Sequence, residues 1–463
     1  MKKILLWLLV MLIGISMLVT FSLSGCKTTT TTTAAAETTT TATVETTAAA
    51  TTTAATEPKT LIELGGTYKG TKLTVFAVSW PTWDELKKRI PEFEEKTGIK
   101  VEVIETPYNE SLEKLMVGLS SKSGEYDLIT YNTDQIAMLS FEKFIIPFDE
   151  FINSNLFTKD FNLDDFVESA INSYTIDGKI YGFPFEGGVD LMYYRTDLFK
   201  QFGFEFPKNW DEFLEIAKAL TLDTNNDGKI DIYGYAIPGK RTTHATQEFI
   251  DLLRSFGGDV LDKNNNPIFN GPEGLKALQY EVDLVNKYKV TPPSVLEDTY
   301  DDQATLFLEG KLAIVTSWSY LQSLAVDSEK SKVVGKWWLA PKPGVGWSGI
   351  WALGIPTDSK NKEAAFLLAQ YLTNYDAIKQ LGMAAVPTTR KSVVNDPEIL
   401  KKYPYMEPIS KAIAQARPAF FTTRFAEVSD FMSIAVIEAL TLEKTPQKAL
   451  DDAAAGIKEM FKK

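Results

Sequence analysis

The chain holds one cysteine, Cys26, and one histidine, His244, in 463 residues. A single thiol leaves no intramolecular disulfide, so the fold rests on its apolar core. A single imidazole leaves too few groups for a zinc site with several histidine ligands, and nearly rules out a histidine-based triad or histidine phosphotransfer. A two-carboxylate glycosidase is not excluded on this ground. Basic excess is also missing: 48 Lys and Arg face 61 Asp and Glu, for a net charge of -13. That argues against nucleic acid as a partner, because phosphate binding needs clustered cations.

What is present starts at the N-terminus. Lys2 and Lys3 precede an apolar run from Ile4 to Phe21, then Leu23-Ser24-Gly25-Cys26, then a Thr/Ala tract reaching Glu57. This is the charged, apolar and small-residue order of an export signal. A run of roughly 18 to 20 residues is also long enough to span a bilayer as a helix. The cysteine directly behind Leu-Ser-Gly selects the other reading, because the string resembles the bacterial lipobox, whose thiol is acylated and becomes the new N-terminus. Residues 1–25 are then expected to be a signal peptide, Cys26 the lipidated residue, and 26–57 a disordered tether too poor in apolar residues to bury a core. The expected location is extracytoplasmic, anchored to the cell membrane without spanning it.

About 400 residues remain, more than one ordinary domain and enough for two lobes. Hydrophobic residues make up 44% and aromatic residues 12%, including nine Trp and 18 Tyr. Most of these rings fill a core, but Trp beside acids and amides is also what a carbohydrate site needs. Rings stack on sugar C–H faces, and carboxylates and amides bind the hydroxyls. Strand and helix patterns alternate from residue 72: strand 72–78, helix 83–96 closed by Gly98, strand 99–104, helix 111–121, strand 126–131. Such alternation predicts a mostly parallel, doubly wound sheet. A hairpin with Asp177-Gly178 at its tip follows, then a Gly-rich passage, the strand 191–195, and helices near 209–220, 246–256 and from 272.

Several segments, taken in order, resemble the family-1 extracellular solute-binding proteins of ABC sugar importers, of the maltose/trehalose-binding type. They are Pro91 to Gly98, Tyr181 to Pro184, Asp190 to Phe199, Asn209 to Phe213, Phe307 to Ile314 with Trp318, and Ala416 to Pro418. The resemblance runs over residues 70–460. It implies an α/β fold of two lobes (the type II periplasmic-binding-protein fold), each a mostly parallel sheet flanked by helices, with the ligand cleft between them. The expected lobes are 58–186 plus 353–397 and 187–352 plus 398–463, with hinges near Phe185 to Val189 and Ile350 to Pro356. It also implies a non-enzymatic monomer with no catalytic cofactor. Such a protein captures a disaccharide or short oligosaccharide by hinge closure and delivers it to the transmembrane subunits of a permease.

Trp318 and Trp351 are the leading stacking candidates. Trp318 ends an apolar strand, and Trp351 follows a Gly-containing segment where backbone comes close to a ligand. Trp347, Trp80 and Trp83 are further candidates. Asn132 and Asp134 follow a strand, at the edge where open α/β sheets bind ligands. The family usually has an Asp near Asn132, so an amide replaces a carboxylate there. Glu186 and Asp190 flank Gly187-Gly188 at the expected crossover. Arg417 matches the family's Arg before Pro, with Arg424 as a rival. Asp223-Thr-Asn225-Asn-Asp227-Gly228-Lys229-Ile230-Asp231 has the oxygen spacing of a calcium loop. Asp223, Asn225, Asp227 and Asp231 would supply side-chain oxygens and Lys229 a carbonyl, but Gly234 stands where the bidentate Glu belongs. A structural calcium is expected there, with a metal-free Asx-rich turn as the alternative. The functional alternatives to a binding lipoprotein are a surface-anchored glycoside hydrolase and an adhesion lipoprotein on a Thr-rich stalk.

Overall fold

The predicted alternation builds a five-stranded sheet, seen in a computed structural model that describes residues 60–462. The signal peptide, Cys26 and the Thr/Ala tract lie outside the described residues. The ten named strands are β1 Lys72–Val78, β2 Lys100–Thr106, β3 Leu128–Asn132, β4 Thr175–Ile176, β5 Lys179–Ile180, β6 Phe183–Glu186, β7 Asp190–Arg195, β8 Ile314–Trp318, β9 Trp337–Ala340 and β10 Trp351–Gly354. The first sheet has the order β2-β1-β3-β10-β6. β1 pairs parallel with β2 and β3, whereas β10 runs antiparallel to both β3 and β6.

The second sheet, β8-β7-β9, pairs antiparallel throughout its named strands. The expectation of a mostly parallel sheet therefore holds for three strands of the first lobe and not for the second. A parallel contact does enter the second lobe where Tyr233 lies beside Leu312. The two-lobed α/β architecture itself is as expected. The first sheet reclaims the chain at Trp351, two residues earlier than expected, because Trp351 and Ala352 pair with Asn132 and Tyr131.

The expected helix 83–96 is broken into Pro81–Leu86, a 3-10 turn at Lys87–Arg89, and Ile90–Thr97. Pro91 explains this, since it brings no N–H and its ring crowds the carbonyl four residues back. Gly98 closes the helix at φ 71°, its N–H bonded to the Glu94 carbonyl at 2.9 Å. Asp177 and Gly178 both take positive φ at the hairpin tip, as a tight hairpin turn requires.

β7 shows how one strand serves two cores. Leu191 and Tyr193 join the apolar cluster that continues into the first lobe, while Met192 faces the cluster under helices Thr243–Ser255 and Phe425–Leu440. Period-2 alternation makes this possible. Helix Met406–Gln415 packs on both sides, against Glu168–Asn172 and against β9 and β7. No helix among the described residues is long and apolar enough to cross a membrane.

Candidate functional site

The strand ends of the first sheet collect an aromatic group with one acid. β10 places Trp351 opposite both Asn132 and Glu186 in register. The Trp80 ring lies 4.6 Å from that of Trp351 and 6.0 Å from that of Phe185. Its Nε1–H donates to Glu186 Oε2 at 2.7 Å. Burial raises the Glu186 carboxyl to about 7, with hydrogen bonds from Trp80 and Thr82 pulling the other way. Tyr108 adds its edge to Trp351 at 6.1 Å and is 63% exposed. This tyrosine was missed in the sequence. It opens helix Tyr108–Ser121 right after β2, and its position at a strand's C-terminal end was the available signal.

Beside this group, the crossovers between the lobes run together. Gly349 N–H bonds the Gly188 carbonyl at 2.9 Å, and Thr133 donates to the Ser348 carbonyl at 2.9 Å. Asn132 Oδ1 accepts the Asp134 N–H at 3.2 Å, so the amide organises its own turn. Asp134 Oδ1 is buried with no hydrogen-bond partner, and burial raises its carboxyl to about 7. Trp318, at the end of β8, lies so close over Gly349 that a Cβ there would sit 2.9 Å from its ring. Trp80, Trp351, Glu186, Asn132, Asp134 and Trp318 thus gather around the crossovers.

The other candidates serve different roles. Trp83 and Trp347 are 0% exposed, each inside an apolar cluster, so neither offers a face to a ligand. Asp190 is 1% exposed; its Oδ1 accepts the Trp347 N–H at 2.8 Å and its Oδ2 lies 2.8 Å from Lys342 Nζ. It is an internal anchor, not a hydroxyl acceptor. Arg417 is paired with Asp259 at 2.7 Å, and Arg424 with Glu427. The network around Lys342 had no sequence signal, because a lone lysine between two prolines looks like loop surface.

The 223–231 loop turns its oxygens on itself. Asp223 accepts from the N–H groups of Asp227 and Gly228, Asn225 from Asp227, and Asp227 from Lys229. Asp231 accepts from Thr224. Among the described residues, no group of three or more His, Cys, Asp or Glu is arranged to hold a metal. Gly234 is glycine for a packing reason, since a Cβ there would lie 1.8 Å from the Ala217 carbonyl oxygen. A glutamate completing a calcium shell has no room at that position.

An acid-edged aromatic group beside paired crossovers suits reversible capture of a hydroxyl-rich molecule. Comparisons with known proteins agree with this architecture. The mannitol-binding protein of Pseudomonas aeruginosa is 27% identical over 319 residues, covering 66% of this chain and 70% of that protein. A probable amino-acid ABC transporter periplasmic-binding protein of Sinorhizobium fredii is 25% identical over 402 residues, covering 86% and 91%. Among solved structures, maltose-bound MalE3 of T. maritima superposes with a TM-score of 0.72 at 29% identity, covering 84% of this chain and all of that one. An ABC transporter solute-binding protein from Thermotoga lettingae, bound with alpha-D-tagatose, gives a TM-score of 0.70 at 25% identity, covering 84% and 99%. Residues 79–379 match the family described as bacterial extracellular solute-binding protein, and the chain belongs to that family.

Proposed function

We propose that this protein is the substrate-capturing component of an ABC importer and that its cargo is a carbohydrate, a disaccharide or short oligosaccharide. The observation that carries this reading is the Trp80–Trp351–Tyr108 group with Glu186 hydrogen-bonded at its edge. Ring faces supply stacking area, and Glu186 and Asp134 supply acceptors for hydroxyls. The mannitol, maltose and tagatose named for relatives support the polyhydroxylated class. Closure of the lobes about the paired crossovers would bury the sugar and present both lobe tips to the permease. The protein acts as a monomer without catalysis. Cys26 carries the lipid that holds it at the outer face of the cell membrane. A structural calcium in the 223–231 loop would have to open the loop's internal hydrogen bonds and draw water or a carboxylate from elsewhere.

The test is a thermal-shift screen of the purified protein against monosaccharides, polyols and oligosaccharides. A ligand that binds only the folded state raises Tm by mass action. A rise confined to oligosaccharides, with no product after long incubation, is expected. A rise only with polyols or amino acids refutes the cargo, and sugar breakdown refutes the binding role. Incorporation of labelled palmitate that is lost in Cys26→Ser tests the anchor.

A further inference from the structure

The second lobe buries more negative than positive charge around one side chain. Lys342 Nζ lies 2.8 Å from Asp190 Oδ2, 3.0 Å from Glu248 Oε2 and 2.5 Å from Asp251 Oδ2, and all four side chains are at most 1% exposed. One ammonium against three carboxylates would leave two uncompensated charges out of water. A folded protein avoids this by taking up protons.

The hydrogen bonds show where a proton belongs. Glu248 is well supplied: Oε1 accepts from Tyr235 OH at 2.5 Å, and Oε2 from Lys342 Nζ at 3.0 Å and Tyr300 OH at 3.4 Å. Asp190 and Asp251 close on the same ammonium, their Oδ2 atoms 2.8 and 2.5 Å from Lys342 Nζ, which sets the two acids side by side. Asp251 Oδ1 is buried without a hydrogen-bond partner, and Asp190 Oδ2 has only the shared Lys342 ammonium, 2.8 Å away, to face. Two carboxylate acceptors satisfy each other only when one carries a proton. We infer that Asp190 and Asp251 share a proton at neutral pH, forming a buried proton-binding site beneath the crossover between the lobes. The site bears on the crossover directly, because Asp190 Oδ1 also holds the Trp347 N–H.

The surroundings agree. Burial pushes Asp251 well above the usual carboxylate range, the charge on Asp190 adds to this, and Lys342 opposes it. Glu281, on the neighbouring helix Pro272–Val282, is 1% exposed with both oxygens unpartnered. Burial and then the charge of Glu248 raise it as well, so it holds a second proton. Arg254 adds one nearby cation but is engaged with Asp259. His244, its ring tilted 40° to that of Tyr300 at 4.7 Å, is depressed by burial and brings no charge at pH 7.

Asp251→Asn mimics the protonated acid: its amide nitrogen donates to Asp190 while its oxygen keeps Lys342. The full chain and this variant are unfolded by denaturant at pH 8.5 in weakly buffered solution, and released protons are counted. That pH lies above the range where Asp134 and Glu186 titrate. The wild type is expected to release about two protons, and the variant about one, with a Tm within ~3 °C of wild type at pH 7. Glu281→Gln should remove the other. Each retained proton costs about a tenfold loss of the folding equilibrium constant per pH unit in this range. No proton release by the wild type, an unchanged count in Asp251→Asn, or failure of that variant to fold overturns the inference.

Discussion

Gly188→Ala is expected to damage the protein through the crossovers alone. A Cβ on Gly188 would sit 2.3 Å from the Gly349 carbonyl oxygen and 3.0 Å from its carbon. Ordinary contact begins near 3.4 Å, so the overlap is about 1.1 Å against backbone, which has no rotamer to give way. Relief requires the two crossovers to separate, which stretches the 2.9 Å bond from Gly349 N–H to the Gly188 carbonyl and the neighbouring Val189–Ser348 bridge. Overpacking costs about 1–3 kcal/mol and a lost hydrogen bond about 1, so the loss should be about 2–4 kcal/mol. Urea unfolding monitored by tryptophan fluorescence measures it. The control is Gly66→Ala, where a Cβ meets nothing within 4 Å and φ is -56°. On the proposed closure of the lobes about these crossovers, affinity for the sugar found by the thermal screen should fall in Gly188→Ala and not in the control. Wild-type stability and affinity in Gly188→Ala would refute the claim that these glycines are chosen for close backbone approach.

Trp351→Ala should weaken sugar binding ~10- to 100-fold with a modest change in Tm, whereas buried Trp83→Ala should cost about 3–5 kcal/mol of stability. Calorimetric titration beside thermal melts separates the two, and the reverse pattern would exchange their roles. Glu186 is raised to about 7, so the stability it contributes is complete below its unfolded value of 4.5 and is lost as pH rises through about 7. The full shift corresponds to about 3 kcal/mol; partial exposure reduces this to ~1–2 kcal/mol, and Glu186→Gln should flatten the stability profile between pH 5 and 8 by that amount. An unchanged slope would show that Glu186 ionises normally. Millimolar calcium against a chelator should raise Tm by a few degrees if the 223–231 loop binds the ion. An identical Tm would leave that loop as the self-capped turn its hydrogen bonds already describe.

Local chemistry was legible in the chain. The alternation of 72–131, the stop at Gly98 and the Asp177-Gly178 turn are decided by residues within a few positions of one another. Trp80, Trp351, Glu186 and Asn132 could be nominated because strand ends and glycine-rich crossings carry sites in such sheets. Trp83, Trp347 and Asp190 carried the same local signals and proved internal, because nothing within their own segments says which face will be covered.

By itself the sequence determined the α/β class, two lobes and a family, since periodicity and ordered short motifs are written along the chain. Only the tertiary structure decided the antiparallel second sheet, the pairing of Gly188 with Gly349, and the meeting of Asp190, Glu248 and Asp251 on Lys342. Those partners lie up to 161 positions apart. Which of them touch, and which acids keep their protons, follows from burial that no local pattern records.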